Sequence, residues 1–106
     1  MPKYLLNVSY TAEGAKGLLK EGGSKRRTVA REYIERVGGT LEAFYFAFGD
    51  TDVVLIADMP DAQTTAGLAL ALAASGAVTS RTTVLLTPED IDAAVKKSSA
   101  YAAPGR

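Results

Sequence analysis

The sequence predicts an α+β domain built on one antiparallel four-stranded sheet. Three observations support this prediction: four segments alternate their side chains with the period of two that a strand requires, longer segments between them carry apolar residues at helical spacing, and the segments follow one another as β, α, β, β, α, β. This order consists of two β-α-β halves, and such halves favour right-handed crossovers onto a single sheet. The predicted fold class is therefore ferredoxin-like, with helices on one face of the sheet and an additional C-terminal helix.

The four strands are predicted from their alternation and their turn residues. Residues 3–10 and 77–86 alternate apolar side chains with polar or β-branched ones, as the first and last strands of such a sheet do. Residues 40–48 and 53–57 lie on either side of a short Gly49–Asp52 turn. Glycine and aspartate are ordinary turn residues, so this pair of segments predicts a β-hairpin.

Two helices are predicted to fill the crossovers. Residues 24–37 form the first, with Ser24 as its N-cap and Gly38-Gly39 as its stop. Asp61 caps the second helix, which runs to about residue 75 and ends before Gly76. Small alanine residues on this second helix would let it lie close to the sheet.

The remaining helical signals lie outside the crossover helices. Residues 11–20 have a short helical pattern followed by a Gly22-Gly23 joint. Thr87-Pro88 is typical of an N-cap followed by an N1 proline, and it predicts a C-terminal helix. We therefore expect one domain over residues 1–98 and a C-terminal tail over residues 99–106.

The composition excludes several classes of chemistry. The chain has 106 residues, 12 Lys+Arg against 12 Asp+Glu, and neither Cys nor His. It therefore lacks thiolate nucleophiles, disulfides, iron–sulfur ligands, Ser-His triads and the usual zinc ligands. No apolar run approaches the ~18 residues of a membrane span, and Met1-Pro2-Lys3 leads directly into a strand. We expect a cytoplasmic protein with no cofactor, no metal and no membrane partner.

Charge is unevenly distributed along the chain. Residues 13–36 hold seven basic and four acidic side chains, whereas residues 42–92 hold eight acidic side chains and only Arg81. A solvated face of the first crossover helix would explain the basic cluster. The same asymmetry could also make self-association electrostatically complementary.

The predicted sheet is more apolar than one buried face requires. Residues 43–48 are apolar on both faces, with Phe44, Phe46 and Phe48 on one of them, and residues 53–57 are apolar on both faces as well. A sheet covered by helices on one side normally has a polar second face. A second copy of the same sheet would cover the apolar surface. The sequence therefore predicts a sheet-to-sheet homodimer or a larger ring of such dimers.

Short motifs follow one another in a fixed order along residues 1 to about 95. They are Tyr10-Thr11-x-x-Gly14, Lys25-Arg26-Arg27, Gly38-Gly39, Gly49-Asp50-Thr51-Asp52, Met59-Pro60-Asp61 and Gly76-x-x-x-x-Arg81-Thr82-Thr83. As a series they resemble the GYD domain family. Gly49 and Asp52 match the Gly, Tyr, Asp pattern for which that family is named, and Thr51 stands where the Tyr would be. The resemblance implies a small bacterial domain of the dimeric α+β barrel type, and it implies no particular reaction.

Two charged clusters are candidates for binding. Asp50 and Asp52 could bind a hard cation or act as a paired acid and base, or they could be turn residues that accept backbone N–H bonds. Arg26 and Arg27, near the start of a helix after flexible glycines, could hold a carboxylate or phosphate. The alternative is a solvated helix face on which glutamates pair with them.

A third candidate is a polar patch on the sheet. Asn7, Ser9, Arg81 and Thr83 would share one face of the first and last strands, beside the phenylalanine surface. A mixed apolar and polar cleft is typical of small-molecule sites. The same groups could instead form a hydrogen-bond network at a dimer seam, with Arg81 paired to an acid across it.

Two functions are compatible with these residues. The first is a homo-oligomeric domain that binds a small anionic or aromatic ligand. The second, by analogy of fold alone, is a cofactor-free isomerase-like or monooxygenase-like enzyme acting on a small aromatic or enol-type compound. No nucleic-acid partner is expected, because the net charge is zero and the aromatic motif of RNA-recognition modules is missing. The candidate ligand-binding residues are Tyr10, Thr11, Arg26, Arg27, Tyr45, Asp50, Asp52, Arg81 and Thr83.

Overall fold

The computed structural model of the chain describes residues 1–105. Within that range the elements are, in order, β1 (Lys3–Tyr10), α1 (Ala12–Glu21), α2 (Gly23–Arg36), β2 (Thr40–Phe46), β3 (Val53–Asp58), α3 (Ala62–Ala74), β4 (Val78–Leu85) and α4 (Pro88–Lys97). The strands form one sheet in the order β2-β3-β1-β4, and every neighbouring pair is antiparallel. The α+β prediction and the ferredoxin-like order of elements are confirmed.

The core lies between the helices and one face of the sheet. Along β1 and β3, buried residues alternate with half-buried ones. The register places Leu6 opposite both Leu55 and Thr82, so these three side chains share the face that the helices cover. The other face is not covered by the helices, and we call it the open face. The buried apolar residues are Tyr4, Leu6, Val8, Ile34, Val53, Leu55, Ala57, Met59 and Leu68.

The helix termini follow the capping signals, with one exception. Asp61 accepts a hydrogen bond from the Thr64 backbone N–H at 2.7 Å, and Thr87 forms a capping box with Asp90. The predicted Ser24 N-cap is wrong, because α2 begins at Gly23 and its N-cap residue has no side chain. That residue, Gly22, has a φ of +84° and also ends α1. One left-handed glycine therefore joins two helices, which a local capping motif does not predict.

The helices divide the sheet between them. Helix α2 packs against β2, α3 packs against β4, and α1 lies beside β1 and α2. Helices α2 and α3 make little contact with each other, so the central strands β3 and β1 lie beneath the gap between them. None of the helices within residues 1–105 is long and apolar enough to cross a membrane.

Gly14 allows α1 to approach the start of β4. It is buried, and a Cβ at this position would collide with the Ala77 carbonyl oxygen and would lie 2.9 Å from the Tyr10 ring. We expect Gly14→Ala to lower the free energy of unfolding by about 1–3 kcal/mol through overpacking. Gly17→Ala is the matched control, since no atom of the described residues lies within 4 Å of its Cβ position. Urea denaturation measures both variants, and equal effects would contradict this account.

Candidate functional site

A cavity of about 270 Å³ lies between the helices and the central strands. At water's share of about 30 Å³ per molecule, this volume accommodates about nine water-sized groups. Core residues of β1 and β3 form its floor, including Leu6, Val8 and Leu55. Small residues on the flanking helices, Ala30 and Ala71, leave the space open above that floor. The cavity thus follows from the separation of α2 and α3.

The lining of the cavity is almost entirely apolar. Tyr10, Arg26 and Tyr33 are the lining residues whose side chains carry polar atoms. Tyr33 lies on α2, and the Arg36 guanidinium carbon is 5.3 Å from the centre of its ring. Such a pocket binds apolar molecules, and its few polar groups set their orientation.

Tyr10 is held by the hairpin that follows β2. Its backbone N–H donates a hydrogen bond to Asp52 Oδ2 at 2.8 Å. Burial raises the pKa of the Tyr10 phenol; the positive charge of Arg26 opposes this shift, while the negative charges of Asp52 and Glu21 add to it. The phenol therefore stays protonated at neutral pH, and its O–H can act as a hydrogen-bond donor.

Arg26 supplies the positive charge of the cavity. Its Nε lies 2.8 Å from Glu21 Oε2, which is an ion-pair distance. The N–H is not aligned with that oxygen, so Nε is a buried donor with no hydrogen-bond acceptor among the described residues. A carboxylate entering the cavity would give this guanidinium a better-aligned partner.

The raised pKa of Tyr10 predicts a difference in alkaline stability. The pKa of Tyr10 is higher in the folded chain than in the unfolded chain, where it is near 10.0. The stability that this difference contributes is therefore fully present below about pH 10 and is lost as the pH rises through the folded pKa. We therefore expect the free energy of unfolding to fall more steeply above about pH 10 in the wild type than in Tyr10→Phe. Lys3 also has a raised pKa, but both proteins contain it. Urea denaturation at several pH values tests this, and parallel profiles would contradict it.

Thr11 and Arg27 lie close to the cavity but do not line it. The Thr11 hydroxyl donates to the Gly76 carbonyl oxygen at 2.9 Å and accepts from the Gly14 backbone N–H at 3.2 Å. These bonds cap α1 and tie it to the start of β4. Arg27 is exposed on α2, next to Arg26 in the sequence. Of the basic cluster, only Arg26 is among the cavity residues.

The hairpin residues connect β3 to β1. The Asp52 carboxylate accepts from Tyr10, while Asp50 is exposed. Thr51 is buried, and its hydroxyl donates to the Val8 carbonyl oxygen at 2.9 Å. Across residues 1–105, no group of three or more acidic side chains is arranged as metal ligands. The hairpin therefore holds the backbone of Tyr10, one of the residues that line the cavity.

The remaining candidates lie on the open face. Arg81 pairs with Asn7, and Thr83 pairs with Leu5, so the polar residues of β1 and β4 share one face as predicted. Tyr45 lies in the same row across the sheet, because it and Asn7 both pair with Val54. Tyr45 and Arg81 are exposed, and Arg81 forms no ion pair within the described residues. These candidates are therefore separated from Tyr10 and Arg26 by the thickness of the sheet.

The expected cleft between this polar patch and the phenylalanines is wrong. Phe44 pairs with Leu55 and packs against the core, as does Phe46, so both lie on the helix-covered face. Phe48 follows the end of β2 with a φ of +55° and stacks on Phe46, with ring centres 5.9 Å apart. Phe44 and Phe46 share one face of β2 as predicted, but that face lies on the helix-covered side of the sheet and not beside the polar patch. Tyr33 and Ala30 are not among the predicted site residues, and they line the cavity because α2 packs over the sheet beside it.

Searches of curated proteins and of solved structures return no match to this chain. A scan of family models gives one assignment, and its match covers residues 4–95, from β1 into α4. This range includes every strand and both walls of the cavity. The chain belongs to the GYD domain family.

Proposed function

We propose that this protein binds a small carboxylic acid with a single-ring or short-chain apolar body in the cavity between α2, α3 and the sheet. The observation that carries the proposal is the combination of an apolar cavity with the buried Nε of Arg26, which is ion-paired with Glu21 but makes no aligned hydrogen bond. The apolar body would displace water from the floor formed by Leu6, Val8 and Leu55. The carboxylate would accept hydrogen bonds from Arg26 and from the protonated Tyr10 phenol.

A titration with simple probes tests this proposal. Phenylacetate and its neutral isostere phenylacetamide are added to ¹⁵N-labelled protein, and backbone shifts are followed by NMR. We expect saturable shifts around α2, β1 and β3, with phenylacetate binding more tightly. Arg26→Met should weaken phenylacetate binding about tenfold, equivalent to about 1.4 kcal/mol. Its effect on phenylacetamide should be small.

Arg27→Met is the matched control for that variant. It removes an arginine from the same turn of α2, but Arg27 is exposed and does not line the cavity. Phenylacetate should bind this variant as it binds the wild type. Equal losses in the two arginine variants, or shifts confined to the protein surface, would refute a cavity site and indicate nonspecific attraction of the anion.

The second candidate function, a cofactor-free enzyme, is favoured by one observation. Tyr10 places a protonated phenol beside a cationic group in an apolar space, and this pairing could donate a proton to an enolate and stabilise its charge. An enolisable arylketo acid distinguishes the two functions. Accelerated tautomerisation that is lost in Tyr10→Phe would support the enzyme, whereas binding without acceleration would support a binding domain.

We also propose that copies of the chain associate through the open face of the sheet. The half-buried apolar residues Leu5, Val54 and Ile56 form its centre, and Tyr45 beside them is 71% exposed. Lys3 forms ion pairs with Glu42 and Asp58 at one end of this face. An apolar centre with a polar rim is typical of protein interfaces. A second copy of the chain presents the same face, so a copy related by twofold symmetry is the simplest partner.

A further inference from the structure

Helix α4 has no packing partner among residues 1–105. None of its residues is buried, and it makes no substantial contact with any other element. Its apolar side chains Ile91 and Val95 are 48% and 66% exposed. The radius of gyration is 17.0 Å, whereas a compact chain of this length has about 13 Å. The longest dimension of the molecule, 57 Å, reflects this extended shape.

The sequence nevertheless specifies α4 as a helix. It begins with a capping box at Thr87 and a proline at its first position, and it ends with Lys96 and Lys97. A helix of ten residues is marginal in water by itself, so it requires packing from another surface. The family match extends to residue 95 and so includes most of α4. The helix is therefore part of the domain, and its apolar side needs a partner.

A matching apolar surface lies on α3 and the start of β4. Ala66, Leu70 and Ala73 of α3 and Val78 of β4 line a shallow groove there. Residues 62–80 contain no charged side chain, and Leu70 is 71% exposed. A helix that is apolar all round is normally covered on all sides. The sheet covers one side of α3, and the opposite side remains bare.

The α4 helix of the same chain is poorly placed to cover this groove. The groove lies at the start of β4, whereas α4 follows its end after a connection of two residues, Leu86 and Thr87. Strand β4 has eight residues, which span about 26 Å at ~3.3 Å each. Helix α4 itself spans only about 15 Å and projects away from the sheet.

We propose that two copies of the chain exchange their α4 helices, each helix lying in the α3–β4 groove of the other copy. Apolar side chains would meet an uncharged groove, while the charged side of α4 would stay in water. A second copy is the occupant that supplies this helix, because α4 of the same chain is poorly placed to reach the groove and has Ile91 and Val95 exposed. The exchange is independent of ligand binding in the cavity and of the open face.

Disulfide cross-linking between different chains tests the exchange. The protein has no cysteine, so each introduced thiol is unique. Chains carrying Val95→Cys are mixed with equal amounts of chains carrying Leu70→Cys, oxidised, and separated on a non-reducing gel. We expect a covalent heterodimer of twice the 11.1 kDa chain mass as the main product. Mass spectrometry of its peptides should identify the link between positions 95 and 70.

Leu19→Cys provides the matched control, because Leu19 is 88% exposed on α1, away from the groove. Mixed with the Val95→Cys chain, it should give at least tenfold less heterodimer. Equal yields from both mixtures, or no heterodimer above this control, would overturn the exchange. A chain that carries both Val95→Cys and Leu70→Cys and forms only the intramolecular disulfide would also overturn it. In that case α4 would lie in the groove of its own chain. Circular dichroism confirms that each variant is folded.

Discussion

Ala30→Trp is expected to abolish binding of phenylacetate while the domain stays folded. Ala30 lines the cavity from α2, one turn after Arg26 and one turn before Ile34. An indole at this position would occupy the space that the ligand's ring needs. A buried aromatic ring removes about 150–250 Å² from water, which corresponds to about 4–6 kcal/mol at ~25 cal/mol per Å². We therefore expect at least a hundredfold loss of affinity, or about 2.7 kcal/mol.

The control for this variant is Ala15→Trp on α1. Ala15 is exposed and does not line the cavity, so the same change there should leave binding intact. NMR titration measures both affinities, and thermal unfolding shows whether the indole fits. Overpacking in a filled core would cost about 1–3 kcal/mol, whereas filling an empty cavity should leave stability unchanged or higher. Undiminished binding by folded Ala30→Trp would place the ligand elsewhere.

Much of the fold could be predicted because alternation and capping are local signals. The bounds of β1 were predicted at both ends, and Asp61 and Thr87 were identified as N-caps from neighbouring residues alone. The start of α2 could not be predicted in this way. It depends on the positive φ of Gly22 and on the contact between Gly23 and the Phe46 ring, which lies far along the chain.

Single residues of the candidate site could be predicted from the sequence, but their arrangement around one cavity could not. Tyr10 and Arg26 were identified by their chemistry, but the cavity that brings them together depends on the distance between α2 and α3. Alternation shows that Phe44 and Phe46 share a face without showing which face the helices cover. In the structure Phe44 pairs with the core residue Leu55, which places this face on the helix-covered side of the sheet. Local patterns therefore identified the side chains, and tertiary packing determined which of them meet.

Val54→Asp is expected to abolish association through the open face. Val54 lies at the centre of that face, on β3 between Tyr45 and Asn7. In a twofold interface, each copy would bring an unpaired carboxylate toward the other. An uncompensated buried charge costs about 3–5 kcal/mol, so we expect the dissociation constant to rise by at least a hundredfold. Analytical ultracentrifugation at micromolar concentration measures it, with Val54→Thr as the uncharged control that stays associated.

Sedimentation also distinguishes the two proposed interfaces, which are the open face and the exchanged α4 helices. The open face and the outer side of α3 lie on opposite sides of the sheet, so one pair of chains cannot easily use both. The wild type should therefore assemble beyond a dimer, and Val54→Asp should reduce it to a pair held by exchanged α4 helices. Adding Val95→Asp should then yield a monomer of 11.1 kDa. A wild-type protein that sediments as a monomer would refute both interfaces. A monomer from Val54→Asp alone would leave the open face as the only contact between copies.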